Sequence, residues 1–143
     1  MTENEIVERI NNEVWATLAP SKIHGIGVVA VRDIPQGTYF ERRWEETDLY
    51  YELSEENFLR LLKPIRNMIL DRTQFSEVIR FRHPNCMARL QSFMNHSSSP
   101  NSDGKMALRD IKKGEEITEN FLKIAPDNLH QFILERYKKE KII

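Results

Sequence analysis

Apolar and polar positions follow two different periods along the chain, and the change of period separates predicted helices from predicted strands. Ile6 and Ile10 lie four residues apart after Thr2-Glu3-Asn4-Glu5, a capping-box sequence, so the pattern predicts a short N-terminal helix. β-Branched and aromatic runs predict short strands instead. Their ranges are 14–18, ending at Pro20, then 28–31, 38–40, 75–82, 106–108 and 117–121.

A helical period returns in two further places. Residues 54–70 begin with Ser54, a good N-cap, and carry apolar residues at helical spacing: Phe58, Leu59, Leu62, Ile65 and Ile69. Pro64 removes a backbone donor in the middle of this run, which predicts a kink or two shorter helices. Pro126-Asp127 opens a last predicted helix, whose apolar stripe is Leu129, Phe132, Ile133 and Tyr137. Together these elements predict an α+β, β-rich domain.

Turns and one polar loop separate the strands. Asp33-Ile34-Pro35-Gln36-Gly37 and Asp110-Ile111-Lys112-Lys113-Gly114 have the same form, and an arginine precedes each of them. Glycine permits a positive φ at the end of such turns. His83-Pro84-Asn85 predicts another turn, and residues 95–104 predict a polar loop. Taken singly, each turn indicates no more than a connection between strands.

Composition limits the function without identifying it. The 143 residues include 21 Lys and Arg and 22 Asp and Glu, a balance that argues against a general nucleic-acid or membrane-surface binder. Cys86 is the single cysteine, which excludes a disulfide framework and a four-cysteine zinc site within this chain. The polar, acidic start does not resemble a secretory signal, and no apolar run is long enough for a membrane span. We therefore expect a small, soluble, intracellular domain.

Three segments in order carry a family resemblance. Residues 21–37, with Gly25-Ile26-Gly27, resemble the first signature of the SET-domain family. Phe93-Met94-Asn95-His96-Ser97, followed by Pro100-Asn101, resembles the second, and residues 109–118 resemble the third. The resemblance implies a minimal SET fold of several small sheets. It also implies a C-terminal segment threaded through a loop in a knot-like arrangement.

The resemblance also implies a division of the chain and a chemistry. We expect one SET domain over residues 1–143, divided into an N-terminal part at 13–43, a variable helical insert at 44–82, a C-terminal part at 83–121 and a C-terminal helix at 122–143. That helix takes the place of the zinc-binding segment found after many SET domains. The implied cofactor is S-adenosylmethionine, and the implied acceptor is a protein lysine.

The motifs imply the residues of a cofactor site. Gly25 and Gly27 let the backbone approach a ligand closely, with His24 and Ile26 beside them. Asn95 and His96 are implied to bind the adenosine part. The ordinary alternatives are a β-turn for the glycines and a solvated loop for the Asn-His pair. His83 and Cys86 precede His96, but no second ligand pair completes a metal site, so we predict none.

The sequence departs from the family pattern at the active-site tyrosine. Phe121 stands at that position, and it keeps the ring face while it lacks the hydroxyl. Tyr39, on the strand after the first motif, is the best candidate to replace the tyrosine, with packing on a sheet as its alternative role. Ser92 and Ser98 also replace an arginine and a cysteine that many members have. The terminal helix, with Phe132 and Tyr137, is a candidate roof for the substrate channel, and core packing is the alternative.

Three functions follow from this combination. The first is methyl transfer from S-adenosylmethionine to a protein lysine. The second is a SET-fold protein that binds S-adenosylmethionine without transfer, because of Phe121. The third is methylation of a small amine. We expect no nucleic-acid or membrane partner. The location is cytoplasmic for a microbial source and nuclear for some eukaryotic or viral ones, and the sequence leaves open a homodimer.

Overall fold

The computed structural model describes residues 1–40, 50–71 and 79–124, together with Asp127, residues 130–132 and Glu135. The strands are β1 Ala16–Pro20, β2 Ile26–Ala30, β3 Tyr50–Leu53, β4 Ile79–Arg82, β5 Asn95–His96 and β6 Glu116–Glu119. The helices are α1 Glu3–Glu13, α2 Glu55–Phe58, α3 Lys63–Leu70, α4 Pro84–Met87, a 3-10 helix at Leu90–Phe93 and α5 Phe121–Ile124.

Two small sheets organise these elements. The first has the strand order β1-β2-β6-β5, and the second pairs β3 with β4. β1, β2 and β6 are antiparallel neighbours, with Val28 opposite Ile117. β5 runs parallel to β6, and its His96 lies opposite Glu119. Helices beside small sheets confirm the α+β prediction.

Local sequence signals account for the first turns of two helices, α1 and α3. Thr2 Oγ1 accepts a hydrogen bond from the Glu5 N–H at 3.2 Å, and Glu5 Oε2 accepts one from the Thr2 N–H at 2.8 Å. This capping box begins α1, as predicted. Pro64 lies in the first turn of α3, where its missing N–H costs no helical hydrogen bond. Residues 54–70 therefore form two helices, α2 and α3, and the prediction of a break is confirmed.

The buried apolar side chains form two clusters. The helical core joins α1, β3, β4 and the two insert helices, with members such as Ile10, Ile65 and Phe81. The sheet core lies under β2, β6 and the two matched turns, with members such as Val28 and Ile117. The sheet core supports the strands that carry the candidate site.

The two turns of like sequence lie side by side with two-fold symmetry in their contacts. Ile34 and Ile111 form an antiparallel bridge between them. The Gln36 N–H donates to Asp110 Oδ1 at 2.8 Å, and the Lys113 N–H at the equivalent place donates to Asp33 Oδ1 at 2.8 Å. The aspartate of each turn thus fixes the backbone of the other. The contact explains why the sequence repeats.

Two predicted strands are wrong in extent. Residues 38–40 and 106–108 meet through an isolated bridge between Tyr39 and Met106, without a continuous ladder. Asp103 Oδ1 accepts hydrogen bonds from the N–H groups of Lys105 and Met106 at 3.0 and 2.8 Å. These bonds curl the partner segment into a turn, which keeps the pairing short.

Three boundaries near the candidate site also differ from the predictions. The strand predicted over 117–121 ends at Glu119, because Asn120 Oδ1 accepts from the Leu122 N–H at 3.0 Å and begins a helix at Phe121. Asn95 and His96, predicted as loop, form a strand because they pair with β6. The turn predicted at residues 83–85 is the start of α4, with His83 as its N-cap.

Most of the predicted C-terminal helix lies outside the described residues. Asp127, residues 130–132 and Glu135 are helical, which agrees with the prediction where it can be compared. Phe132 is 62% exposed, and Tyr137 lies outside the described residues. The predicted knot-like threading of the C-terminal segment and residues 75–78 of the strand predicted over 75–82 also lie outside them. No helix in the described part of the chain is long and apolar enough to cross a membrane.

Candidate functional site

The Asn95 side chain joins the first two predicted motifs. Its Nδ2 lies 3.0 Å from three acceptors, Ser21 Oγ, the His24 carbonyl oxygen and Glu116 Oε2. We call residues 21–27 the glycine loop. The Asn95 amide therefore holds the glycine loop against the end of the sheet where β5 and β6 pair.

Ser21 completes the fastening of the glycine loop. Its Oγ donates to Glu116 Oε1 at 2.7 Å and accepts from the Ile23 and His24 N–H groups at 2.8 and 3.1 Å. One hydroxyl thus folds the loop upon itself and ties it to β6. Ser21 and Glu116 stand inside the first and third sequence motifs, but the pattern alone did not assign either of them to the site.

The two glycines of the loop are required for different reasons. Gly25 has φ +50°, and no atom lies within 4 Å of the place where a Cβ would stand. A Cβ on Gly27 would lie 2.8 Å from Glu116 Oε2 and 3.0 Å from the Ser21 Cβ. Gly25 therefore leaves the loop backbone open on its outer side, while Gly27 gives the Glu116 carboxylate room to bind the loop from within.

The outer side of the glycine loop is apolar and accessible. Ile23 is 41% exposed and Ile26 is 52% exposed. β5 lies at the edge of its sheet, so no further strand of the described part of the chain covers it. An accessible backbone next to two apolar side chains suits a flat ligand that needs both hydrogen bonds and apolar contact.

His96 and Phe121 form an aromatic pair beside the loop. The His96 Nδ1 accepts a hydrogen bond from the Phe121 N–H at 3.1 Å, and the two ring centroids are 5.4 Å apart. A neutral histidine that accepts at Nδ1 carries its hydrogen on Nε2. Burial lowers the pKa of His96 below its ordinary value of 6.5, so the ring is neutral at pH 7. His96 and Phe121, which were predicted as separate site residues, thus lie together, and the pair adds no positive charge to the site.

A buried carboxylate at Glu119 was missed by the sequence analysis. The Glu119 side chain lies opposite His96 across the β5–β6 pair, and its Oε2 accepts from Gln91 Nε2 at 3.2 Å. A Cβ on Gly104 would lie 2.5 Å from the same Oε2. The pattern of apolar and polar residues carried no signal that this acid is buried.

Asn101 and Ser102 fasten the polar loop along β6. Asn101 Oδ1 accepts from the Thr118 N–H at 2.9 Å, and Asn101 Nδ2 donates to the Glu116 carbonyl oxygen at 2.8 Å. Ser102 Oγ donates to the Thr118 carbonyl oxygen at 2.8 Å. These side chains replace a neighbouring strand along part of β6. Residues 95–104 are therefore an ordered wall of the site, although the sequence has the composition of a solvated loop.

Tyr39 is placed differently from the other predicted site residues. It is 66% exposed and lies opposite Met106. None of the contacts given by the described residues joins Tyr39 to the His96–Phe121 pair. The structure thus brings together His24, Gly25, Ile26, Gly27, Asn95, His96 and Phe121 and leaves Tyr39 on a neighbouring surface. Residues 1–40, 50–71 and 79–124 hold no cluster of three metal-ligating side chains.

Comparison with known proteins gives one family match and several distant structural ones. Residues 25–121 match the SET domain, and no curated protein matches the chain. A candidate histone methyltransferase of Plasmodium falciparum shares 16% identity and a TM-score of 0.37, over 76% of this chain and 93% of that one.

Two further structural matches are forms of Polycomb Repressive Complex 2. The Chaetomium thermophilum complex bound to GSK126 shares 18% identity and a TM-score of 0.40, over 82% of this chain. The complex in an autoinhibited conformation bound to S-adenosylmethionine shares 20% identity and a TM-score of 0.40, over 86% of this chain. The chain spans only 17% of the length of each of those two proteins.

Proposed function

The chain belongs to the SET-domain family, and from this membership we propose that it is an S-adenosylmethionine-dependent methyltransferase whose acceptor is a lysine side chain. The family match covers more than half of the chain and includes every residue of the candidate site except those of the glycine loop that precede Gly25. The observation that carries the proposal is the glycine loop, clamped by Asn95 and Glu116 with its outer backbone open.

The residues present fit this cofactor. The open backbone at Gly25 offers hydrogen-bonding groups for the polar parts of a nucleoside. The exposed Ile23 and Ile26 side chains offer apolar contact for its base. The neutral His96–Phe121 pair presents aromatic faces, which attract a cation such as a sulfonium. S-Adenosylmethionine, when bound, supplies the electrophilic methyl group that is attached to its sulfonium sulfur.

The chain's own task in the reaction is to hold a neutral amine in place. A free lysine has a pKa near 10.4, so its neutral form costs about 4.6 kcal/mol at pH 7. A dry site disfavours the ammonium, and the buried His96 together with the Phe121 ring limits access of water. The remaining rate arises from orientation of the two reactants. Such chemistry uses neither a protein nucleophile nor the free Cys86.

A specific observation favours a second candidate function, binding without transfer. Phe121 has no hydroxyl to orient an amine, and Tyr39 lies exposed against Met106 and makes no described contact with the aromatic pair. On this alternative the glycine loop binds S-adenosylmethionine, but the acceptor is not oriented for reaction. A small amine in place of a protein lysine is a further form of the same chemistry.

Calorimetry with S-adenosylmethionine tests cofactor binding. We expect the full chain to bind and Gly27→Ala to bind about tenfold more weakly, because its Cβ would displace the Glu116 carboxylate from the loop. Gly37→Ala is the matched control, because Gly37 lies in a turn away from the site and its substitution should leave the affinity unchanged. Absence of binding by the unmodified chain would overturn the proposed function.

Mass spectrometry of the reaction products separates transfer from binding alone. Lysine-containing peptides and free lysine are incubated with the chain and S-adenosylmethionine, and the gain of a methyl group is measured. Transfer that is slow in the unmodified chain and faster in Phe121→Tyr would assign the rate loss to the missing hydroxyl. Binding without transfer in either form would favour the second candidate function.

A further inference from the structure

The glycine loop keeps its shape without burying its side chains. Residues 22–26 are all exposed, and the chain becomes buried again only at Gly27. The loop connects the paired ends of β1 and β2. A surface loop with few buried apolar contacts opens easily unless hydrogen bonds hold it. The shape of residues 22–26 therefore depends on the polar groups that reach the loop from the rest of the molecule.

Glu116 reaches the loop from β6, and both of its carboxylate oxygens bind there. Its Oε1 accepts from Ser21 Oγ at 2.7 Å, and its Oε2 accepts from Asn95 Nδ2 at 3.0 Å. The same Asn95 Nδ2 lies 3.0 Å from Ser21 Oγ. Ser21, Asn95 and Glu116 thus form a closed triangle of hydrogen bonds, in which the carboxylate is the member that only accepts.

The carboxylate fixes the direction of the Ser21 hydroxyl. A serine hydroxyl has one hydrogen and two lone pairs, and an ionised carboxylate has no hydrogen to give. Ser21 must therefore donate to Glu116, which turns its lone pairs towards the donors around it. Those donors are the Ile23 and His24 N–H groups, at 2.8 and 3.1 Å, and the Asn95 amide. The fold of the loop backbone at residues 23 and 24 is thus a consequence of the acid at position 116.

We propose that Glu116 is a positioning residue, whose carboxylate acts through Ser21 and Asn95 to hold the glycine loop in the shape that binds S-adenosylmethionine. This inference rests on the proposed function, because that function makes the loop part of the cofactor site. A loop that is already ordered loses less conformational entropy when a ligand binds, so the same contacts give a higher affinity. Glu116 raises the affinity through the loop, without a contact of its own with the ligand.

The donors around Glu116 explain why an amide is not equivalent to the acid. Glutamine has the shape of glutamate, but an NH2 group replaces one of the two acceptor oxygens. Both partners of Glu116, the Ser21 hydroxyl and the Asn95 amide, donate to it. The glutamine NH2 would face one of these donors, so either Ser21 would turn its hydrogen away or two NH2 groups would meet. Glu116→Gln therefore changes the hydrogen bonds and keeps the size of the side chain.

The experiment has one measurement without ligand and one with it. Amide hydrogen exchange of the full chain is measured by NMR at Ile23 and His24, whose N–H groups donate to Ser21. We expect these two amides to exchange about tenfold faster in Glu116→Gln, while the Ile34 amide, which is bonded to Ile111, keeps its protection. Calorimetry should show that the same variant binds S-adenosylmethionine about tenfold more weakly.

Further variants separate the order of the loop from general stability. Glu52→Gln removes a carboxylate from the β3–β4 sheet and should change neither measurement. Glu116→Asp keeps two acceptor oxygens and should keep part of the protection and of the affinity. Ser21→Ala should match Glu116→Gln, and it carries the same test if Glu116→Gln does not fold. Because Ser21 and Glu116 act as one unit, the double variant should lose little more than either single one.

Two results would overturn the inference. In the first, the Ile23 and His24 amides are equally protected, or equally unprotected, in Glu116→Gln and in the unmodified chain. In the second, Glu116→Gln loses the protection and keeps its affinity for S-adenosylmethionine, which would limit Glu116 to a structural role. Faster exchange in Glu116→Gln, combined with no binding of S-adenosylmethionine by the unmodified chain, would instead overturn the proposed function and leave Glu116 as the residue that orders the loop.

Discussion

The two matched turns have the same backbone and different surroundings. Gly37 and Gly114 both have φ +86°. The Gly37 N–H donates to the Ala107 carbonyl oxygen before the second turn, and the Gly114 N–H donates to the Ala30 carbonyl oxygen before the first. The arginines before the turns differ. Arg32 lies over the Trp15 ring at 4.0 Å and donates to the Asn11 and Asn12 carbonyl oxygens at the end of α1.

The second arginine belongs to the side of the molecule that carries the site. Arg109 is about half exposed, and it donates to Glu115 Oε2 at 2.7 Å. Glu115 Oε2 also accepts from Asn101 Nδ2, whose amide fastens the polar loop along β6. The same local sequence therefore gives the same backbone turn at both places. Tertiary contacts decide whether the arginine before the turn anchors a helix, as Arg32 does, or stabilises a wall of the site, as Arg109 does.

Removal of the two arginines should give the largest difference in stability between the two turns. We expect Arg32→Ala to lower the free energy of unfolding by about 2–3 kcal/mol, because it removes hydrogen bonds from a charged group and a cation–π contact. Arg109→Ala should cost about 1 kcal/mol or less, since its ion pair is exposed. Urea unfolding of both variants measures the difference. Equal losses would show that the two surroundings are energetically alike.

Lysine at position 32 is the control for this difference. Arg32→Lys keeps the charge, but an ammonium cannot stack on Trp15 and reach two carbonyl oxygens as a planar guanidinium does. It should therefore recover only part of the loss in Arg32→Ala.

Substitution of Gly37 and Gly114 tests the backbone conformation that the two turns share. At both Gly37 and Gly114, no atom lies within 4 Å of the position that a Cβ would occupy, so the cost comes from the positive φ alone. Gly37→Ala and Gly114→Ala should each cost about 1–2 kcal/mol, and by equal amounts. Asparagine tolerates a positive φ better, so the two Gly→Asn variants should lose less. A clear inequality between the two alanine variants in thermal unfolding would contradict the symmetry.

The reciprocal aspartate bonds predict a smaller and coupled effect. Asp33→Ala and Asp110→Ala each remove one acceptor for a backbone N–H of the other turn and should cost about 1 kcal/mol. Because the turns are in contact, the double variant should deviate from additivity. Asparagine keeps the acceptor oxygen, so Asp33→Asn and Asp110→Asn are the controls. Strictly additive losses would mean that the two bonds act independently.

Local signals in the sequence were sufficient for much of the fold. The capping box of Thr2 and Glu5, the break at Pro64 and the two glycine turns depend on short-range chemistry, and each was predicted. The failures lie where tertiary contacts decide. Asn95 and His96 have no strand pattern, and β6 makes them a strand. Asp103 limits a predicted pairing through hydrogen bonds that the pattern of apolar residues does not encode.

The sequence motifs identified most residues of the candidate site, but they did not indicate what each side chain does there. The motifs led to Gly25, Gly27 and Asn95, but the Asn95 amide holds the glycine loop, which the sequence could not indicate. Glu119 was missed because an acid on a short strand has the pattern of an exposed position. Only the packing of Gln91 and Gly104 around it shows that it is buried.

The smallest expected effect on stability concerns the Glu115 carboxylate, a charge that the second turn has and the first turn lacks. Glu115 stands five residues after Asp110, and Thr38 stands at the same place after Asp33. Hydrogen bonds from the Arg109 side chain, the Asn101 amide and the Lys112 N–H lower the pKa of Glu115 from 4.5 to about 2. A carboxylate whose pKa is lowered by folding stabilises the fold at every pH above its pKa in the unfolded chain. This contribution is lost as the pH falls from about 4.5 towards 2.

Glu115→Gln should therefore reduce stability at pH 7 and have a diminishing effect below pH 4.5. The carboxylate side chain is 33% exposed, so solvent screening keeps the loss at neutral pH within about 1 kcal/mol. Thr38→Ala, at the matching place, should give a loss that does not change over this range of pH. Thermal unfolding of both variants between pH 7 and pH 2 measures the contrast. A pH-independent loss in Glu115→Gln would mean that the ion pair with Arg109 does not distinguish the two turns.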